Sequence, residues 1–410
     1  MRALPALVFA ALCACSFGRS ARTLAESGCE VLPLIGNAWP AALAADADGG
    51  LALAGESAGP RLIAGSAALE APGAFLLRTD AGGAVSWIRS IGAVRTMALA
   101  AAPDGATLLV GQAQKQCLAT KFDSRGRELW TSRLTGDSES ACRAVAVDER
   151  SGDAWAVGEF TGSIGPARSA GMSDVFVLKI AGATGEMRLL RTFGGKGADL
   201  ANAVALLPPD NVIVGGTFGA YVDASVSEVN FGRGGVRASD GADGFLVALS
   251  AEGGTRWTSV VGEQGDDEVV ALATREGAVH AAANVHRERI GARCGGQVVV
   301  LRNREWAKVE EDECLAARAA AFDDASRLWV LENAGRALRA RAFSPADGAP
   351  LGSRSWSGER AAVRGVGIAR VPGGFAAAAV TDGELVACGK PVGNAGEQTT
   401  FVVWVRDVAP

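Results

Sequence analysis

Residues 117–160 read CLATKFDSRGRELWTSRLTGDSESACRAVAVDERSGDAWAVGEF. They hold an apolar strand, a turn ending in Gly, a Trp-bearing strand, an acidic Gly turn, then an Ala/Val strand and its partner. Residues 174–195 and 198–219 repeat the phrase as DVFVLKIAGATGEMRLLRTFGG and ADLANAVALLPPDNVIVGGTFG. A unit of this length cannot bury its own faces, so copies must stack on one another.

Period-two alternation places four strands, a to d, in each unit, with Gly, Asp and Pro marking the turns. Strand a is expected at Ala42–Ala47, Met97–Ala102, Arg143–Asp148, Ala201–Leu207, Val269–Thr274, Ala317–Phe322 and Arg364–Arg370. Strand b follows tight turns such as Asp104-Gly105. Strand d carries Trp87, Trp130, Trp257 and Trp306 at one register, with Met187 and Leu351 in the equivalent place. Large residues at a fixed register are read as filling between neighbouring units. The seventh strand c, in residues 399–408, runs into the C-terminus and leaves no strand d, whereas CEVLPLIG (residues 29–36) precedes the first strand a. An N-terminal strand completing the last unit closes the ring and removes exposed edges. The expected fold is therefore all-β, a seven-bladed β-propeller of four-stranded blades over residues 29–410. Units five and six are degenerate, and counts of six or eight stay open.

The composition fits a secreted β protein, with 54 Gly and six Lys among 410 residues. A net charge of −5 gives no basic surface with which to displace counterions, so nucleic acid is excluded as a partner. Residues 1–14 read as a signal peptide: Arg2, then the apolar run LPALVFAAL, too short to span a bilayer. Leu12-Cys13-Ala14-Cys15 resembles a bacterial lipobox with Cys15 as the lipid acceptor. Residues 15–28 then form a lipidated, polar tether, and Ser16 after the Cys implies the outer membrane. The alternative is an ordinary cleaved signal and a secreted chain. Membrane contact is expected only through the anchor.

The pattern DVFVLKI, GE, FGG, ANAVAL and VIVGGTF resembles the repeat of the bacterial SBBP-type β-propellers, most clearly over Phe75–Trp257. That resemblance implies a propeller, an extracytoplasmic setting and no agreed biochemistry. DAGGAVSW and DSRGRELW are similar to the Trp-containing repeats of quinoprotein dehydrogenases and of an outer-membrane assembly lipoprotein. The adjacent Cys pair of such cofactor sites is absent from the mature chain.

Six Cys remain after targeting, and an even number in an exported chain reads as disulfides with fifteen connectivities. Cys117 opens a strand c and Cys142 the next strand a; Cys294 and Cys314 bear the same relation in a later unit. This favours Cys117 with Cys142 and Cys294 with Cys314, leaving Cys29 with Cys388. No CxxC or paired His supports zinc. His280 and His286 lack a motif and read as a strand residue and a loop residue. Asp46-Ala47-Asp48-Gly49 lacks the further ligands of a calcium loop and reads as a hairpin turn.

The turns from strand d to the next strand a are rich in acids: Asp137, Glu139, Asp199, Glu263, Asp266, Asp267, Glu268, Glu310, Glu311, Asp312, Glu313 and Glu359. A propeller gathers these turns on one face around the central channel. Singly, each acid is read as capping a turn. Together, Asp199, Asp266, Asp267, Glu268, Glu311 and Asp312 are candidates for an acidic rim that takes calcium or a basic segment. The insertion at residues 220–241, with the only Tyr, reads as a decorative hairpin or a functional loop. Arg336, Arg339 and Arg341 read as a solvated edge strand protected by charge.

The expected function is a non-catalytic binding or scaffold module, monomeric and without a required cofactor, for an envelope protein or an extracellular polymer. The alternative is a carbohydrate hydrolase or lyase using paired carboxylates at the channel mouth.

Overall fold

A computed structural model describes residues 28–239, 241–262, 265–286, 296–302, 305–308, 315–394 and 396–406. The signal segment, Cys15 and the tether up to residue 27, with Cys294, Glu311, Asp312 and Cys314, lie outside the described residues.

The chain is an all-β propeller of four-stranded antiparallel blades. The first blade comprises Ala38–Ala45, Leu51–Ser57, Gly73–Thr79 and Val85–Ser90, and the second Arg95–Ala101, Thr107–Ala113, Gln116–Phe122 and Glu128–Leu134. The third comprises Ser140–Val147, Ala154–Phe160, Asp174–Ile180 and Met187–Phe193, and the fourth Ala198–Leu207, Asn211–Ala220, Asp243–Ser250 and Thr255–Val261. The fifth holds Glu268–Arg275, Ala278–His286, Gly296–Arg302 and Glu305–Lys308, and the sixth Leu315–Phe322, Leu328–Ala334, Ala337–Phe343 and Pro350–Trp356.

Seven equal four-stranded sheets were expected; six sheets have four strands and the closing sheet has six. In it Val363–Val371, Gly374–Thr381 and Thr399–Arg406 are followed by the N-terminal strand Cys29–Ile35, with Cys29 opposite Val405 and Leu34 opposite Thr400. The hairpin Leu62–Ala64 and Ala67–Leu69, inserted between strands b and c of the first blade, then adds to the N-terminal strand through Leu34 and Ile35. That addition covers an edge that would otherwise present unpaired backbone groups. Successive strands a touch around the ring, and the strand a at Val363–Val371 returns to contact Ala38–Ala45.

Each strand a begins one to four residues before the expected start, and a bulge lies near that start, as between Pro40 and Ala42 or Cys142 and Ala144. A bulge inserts one residue and inverts the alternation, so period two is legible only beyond it. The facing glycine of strand b follows from the same geometry: a Cβ on Gly158 would lie 1.8 Å from the Ala141 carbonyl oxygen. The fifth, sixth and closing sheets place Ala283, Glu332 and Ala379 at that register instead.

Tryptophans of strand d join neighbouring blades. Trp87 Nε1 donates to the Ser124 carbonyl (2.9 Å) in the second blade, and Trp130 Nε1 to the Gly182 carbonyl (3.1 Å) in the third. Gly185, at φ +76°, brings its turn so close that a Cβ would sit 2.7 Å from the Trp130 ring. The register corrects two equivalences. Trp87 opposes Arg78 and Trp130 opposes Lys121, so in the third blade Leu189, opposite Lys179, holds the Trp place rather than Met187. In the sixth blade Gly352, not Leu351, lies there, because Gly352 opposes Ala342 at the same bulge.

Two disulfides among the described residues close the fold. Cys117–Cys142 staples strand c of the second blade to strand a of the third, and Cys29–Cys388 ties the N-terminal strand to a separate hairpin, Leu385–Ala387 and Lys390–Val392, inserted between strands b and c of the closing sheet. They suit an oxidising, extracellular environment. No helix among the described residues is long and apolar enough to cross a membrane.

The basic stretch of the sixth blade is not an edge strand. Arg339 and Arg341 lie on the third of four strands and converge on Glu332, which is fully buried. Arg341 Nη2 and Nε reach the Glu332 carboxylate at 2.6 and 2.8 Å, and Arg339 Nε at 3.3 Å. Glu332 therefore replaces the bulge glycine with a charge that two guanidinium groups must neutralise. Burial still holds its carboxyl above the usual range, against the two arginines.

Candidate binding site

Strands a and c start on one face of the ring, here the top, and end on the bottom face. The top face carries the turns from d to a and the loops from b to c. Asp199 is fully buried there, and its carboxylate accepts the Gly195 N–H (2.7 Å) and the Gly219 N–H (2.8 Å). Asp266 Oδ1 accepts the Ala242 N–H (3.0 Å), Asp267 is buried, and Glu268 Oε1 accepts Asn284 Nδ2 (3.0 Å). Asp137 accepts the Ser163 N–H, and Glu139 pairs with Lys115 at 2.6 Å. Most of these oxygens therefore face their own turns or neighbouring strands. Among the described residues no group of three or more His, Cys, Asp and Glu is arranged to hold a metal ion.

Strand c contributes a further acid that the repeat concealed. Asp174 is buried, its Oδ2 accepts the Ala170 N–H (3.0 Å) and its Oδ1 has no partner. Burial, assisted by the charge of Asp199, raises its pKa to about 6. A Cβ on Gly194 would lie 2.0 Å from the Asp174 carboxyl carbon, so glycine there makes room for the acid. Asp243 meets Gly262 in the same way in the fourth blade and accepts both the Ser239 N–H and hydroxyl.

The bland readings of several other residues acquire geometry. His280 is buried, with Nε2 3.3 Å from the Pro345 carbonyl and its ring edge-on to Phe322. Asp46 Oδ1 accepts the Asp48 and Gly50 N–H groups within a hairpin turn. The insertion at residues 220–241 anchors itself by Phe231, buried against Phe193, Phe218 and Phe245, and leaves Tyr221 86% exposed.

The large cavity lies on the other face. About 970 Å³ opens at the bottom of the channel, where the third, fourth and fifth blades end strand a and turn into strand b. Its walls include Val204, Leu206, Leu207 and Leu272, with Trp155 and Lys179 in the cleft between blades three and four. Three turns form the collar: residues 148–153, residues 208–210 and Glu276-Gly277. The turns are braced against one another. Arg150 Nη2 donates to the Pro209 carbonyl (2.6 Å), and Thr274 Oγ1 to the Leu206 carbonyl (2.7 Å). Asp153, nearly buried, receives Arg188 Nη1 at 3.2 Å and lies 3.7 Å from Lys179 Nζ, which sits 5.5 Å over the Trp155 ring.

A site of this size, with an apolar wall and a charged collar, is of the kind that takes a small ligand or the side chains of a bound segment. Sequence reading missed it because acids on the top turns drew attention there. Turn length carried little signal: residues 148–153 are one longer than the five-residue turns at 46–50, 102–106 and 323–327, and residues 208–210 are shorter.

No family model matches the chain, and no curated protein matches it in sequence. Solved structures do. The chain is similar to U3-55K, with 11% identity, a TM-score of 0.53, and coverage of 92% of this chain and 99% of that one. An ulvan lyase of a new polysaccharide lyase family gives 11%, 0.52, and coverage of 84% and 92%. A catalytically inactive virginiamycin B lyase from Staphylococcus aureus, solved with quinupristin, gives 10%, 0.50, and coverage of 92% and 100%. Two of these are lyases, and at such identities the likeness establishes the fold alone: a β-propeller built of four-stranded blades.

Proposed function

We propose that this chain is an exported β-propeller that works as a binding module for an envelope protein or an extracellular polymer. The observation that carries the reading is the cavity of about 970 Å³ at the bottom of the channel, walled by leucine and valine and braced by Arg150 and Thr274. A braced, largely apolar cavity is preorganised, so little ordering is required of it on binding. We count the six-stranded sheet as the seventh blade, since its strand a stands in the ring between Leu315–Phe322 and Ala38–Ala45. The SBBP-type repeat and anchoring through Cys15 belong to the same proposal, supported by the residue pattern and by Leu12-Cys13-Ala14-Cys15.

The test is retention of envelope partners by the mature domain and by Ala146→Trp, which fills the cavity beside Trp155 without touching the top face. Partners held by the parent and lost by Ala146→Trp support the cavity as the site. Equal retention by both would place binding elsewhere.

A further inference from the structure

The cavity's charge is one-sided once internal pairings are removed. Arg150 donates to the Pro209 carbonyl, Lys179 stands beside Asp153 over Trp155, and Arg275 donates to the Asp323 carbonyl at 3.0 Å while lying 3.7 Å from Glu276. Arg150 also lies 3.8 Å from Asp148, so each cation in the lining stands beside a carboxylate of the protein. Two carboxylates of the collar, Glu149 and Asp210, are exposed, and their side chains have no hydrogen-bond or ion-pair partner among the described residues. They project from turns of adjacent blades above the Val204, Leu206 and Leu272 wall.

We infer that this cavity takes a basic, apolar peptide segment, with aliphatic side chains on the leucine wall and a lysine or arginine at the Glu149 and Asp210 collar. The inference rests on the cavity being the binding site and adds the chemistry of its occupant. An anionic segment would meet two uncompensated carboxylates and find every cation already engaged, so the charge pattern discriminates as well as attracts. An uncharged apolar segment would leave the collar without a counterpart.

The probe is an end-capped, fluorescein-labelled Leu-Lys-Leu-Leu-Lys-Leu peptide, with Glu replacing Lys in the control, followed by anisotropy against the mature domain. The Lys peptide is expected to bind and the Glu peptide to fail. Glu149→Gln with Asp210→Asn is expected to weaken the Lys peptide about tenfold and to flatten its salt dependence. Both positions are exposed, so the folded state is unaffected and thermal melting should not change. Equal binding of the two peptides, or unchanged affinity in the double variant, would overturn the charge assignment while leaving the cavity as the binding site. Binding that persists in Ala146→Trp would place the peptide outside the cavity and overturn both readings. Absence of saturable binding up to about 1 mM, the edge of useful affinity, would also overturn the assignment.

Discussion

Replacing Asp174 by Asn should stabilise the protein at neutral pH, although it removes a buried acid from the start of a strand. The carboxyl titrates at about 6 in the fold against 3.8 when unperturbed, chiefly because it is buried and secondarily because Asp199 lies near. A group whose folded pKa is raised holds its proton in the native state between these values. Its favourable contribution is complete below pH 3.8 and is lost as pH rises through 6. At 1.36 kcal/mol per unit, ionising Asp174 in the native state costs ~3 kcal/mol at pH 7.5. Asn keeps the shape, still accepts the Ala170 N–H, and places an amide where Oδ1 now has no partner. With an unfolding entropy of about 2 cal/mol/K per residue, that gain is ~4 °C in Tm. The assay is thermal melting of parent and variant from pH 4 to 8. The difference should be near zero or negative at pH 4, grow through pH 6 and level off by pH 7.5. A variant less stable at every pH, or a difference independent of pH, would refute the reasoning. Burial also raises the Asp199 carboxyl, so its ionisation will make the parent curve broader than one proton gives.

Other consequences are as direct. Removing Cys29–Cys388 by a double Ala substitution should cost more than removing Cys117–Cys142, about 6 against about 3.5 kcal/mol by loop entropy, because the sequence separations are 359 and 25; denaturation midpoints under oxidising conditions decide it. Arg341→Met should cost about 3–5 kcal/mol by leaving Glu332 buried beside Arg339 alone, and Glu332→Met in the same chain should restore most of it; a double variant as unstable as the single one would contradict the charge argument. Trp130→Phe should lower stability by about 1 kcal/mol, because the Gly182 carbonyl loses its indole donor but keeps Lys121 Nζ, with far-UV circular dichroism unchanged.

The propeller, its four-stranded units and the part played by Trp87 and Trp130 were legible in the repeat. Each is written several times, so errors in one copy are corrected by the next. Strand starts were not, because the bulge ahead of Ala42 or Ala144 inverts alternation and hides the first residues of strand a. Nor was the third-blade occupant of the Trp place, since Leu189 and Met187 are equally large and only pairing with Lys179 separates them. Arg339 and Arg341 resembled a charged edge because their partner, Glu332, sits in a strand whose other copies carry glycine or alanine there. Even in the copies that resemble each other most, the pattern could not say whether Asp199 faces a channel or its own turn. That depends on Gly195 and Gly219 presenting their N–H groups inward.

The same constraints explain why the cavity opens on the bottom face. On the top face strand a is fixed by its bulge, by capped turns and, at Cys142, by a disulfide; on the bottom, the turns from c to d are held by the neighbouring blade's Trp87 or Trp130. The turns from a to b carry neither obligation. There the fourth blade pairs one residue further than the second: Asn211, opposite Leu207, lies five positions below the bulge-facing Gly216, where Thr107 lies four below Gly111. The extra length lifts Pro208-Pro209-Asp210 beyond the ring, Arg150 reaches across to hold it, and the space beneath becomes the cavity. Variation there changes the collar without disturbing the contacts that close the ring, and so a repeat scaffold acquires a specific site where its own repeat restrains it least.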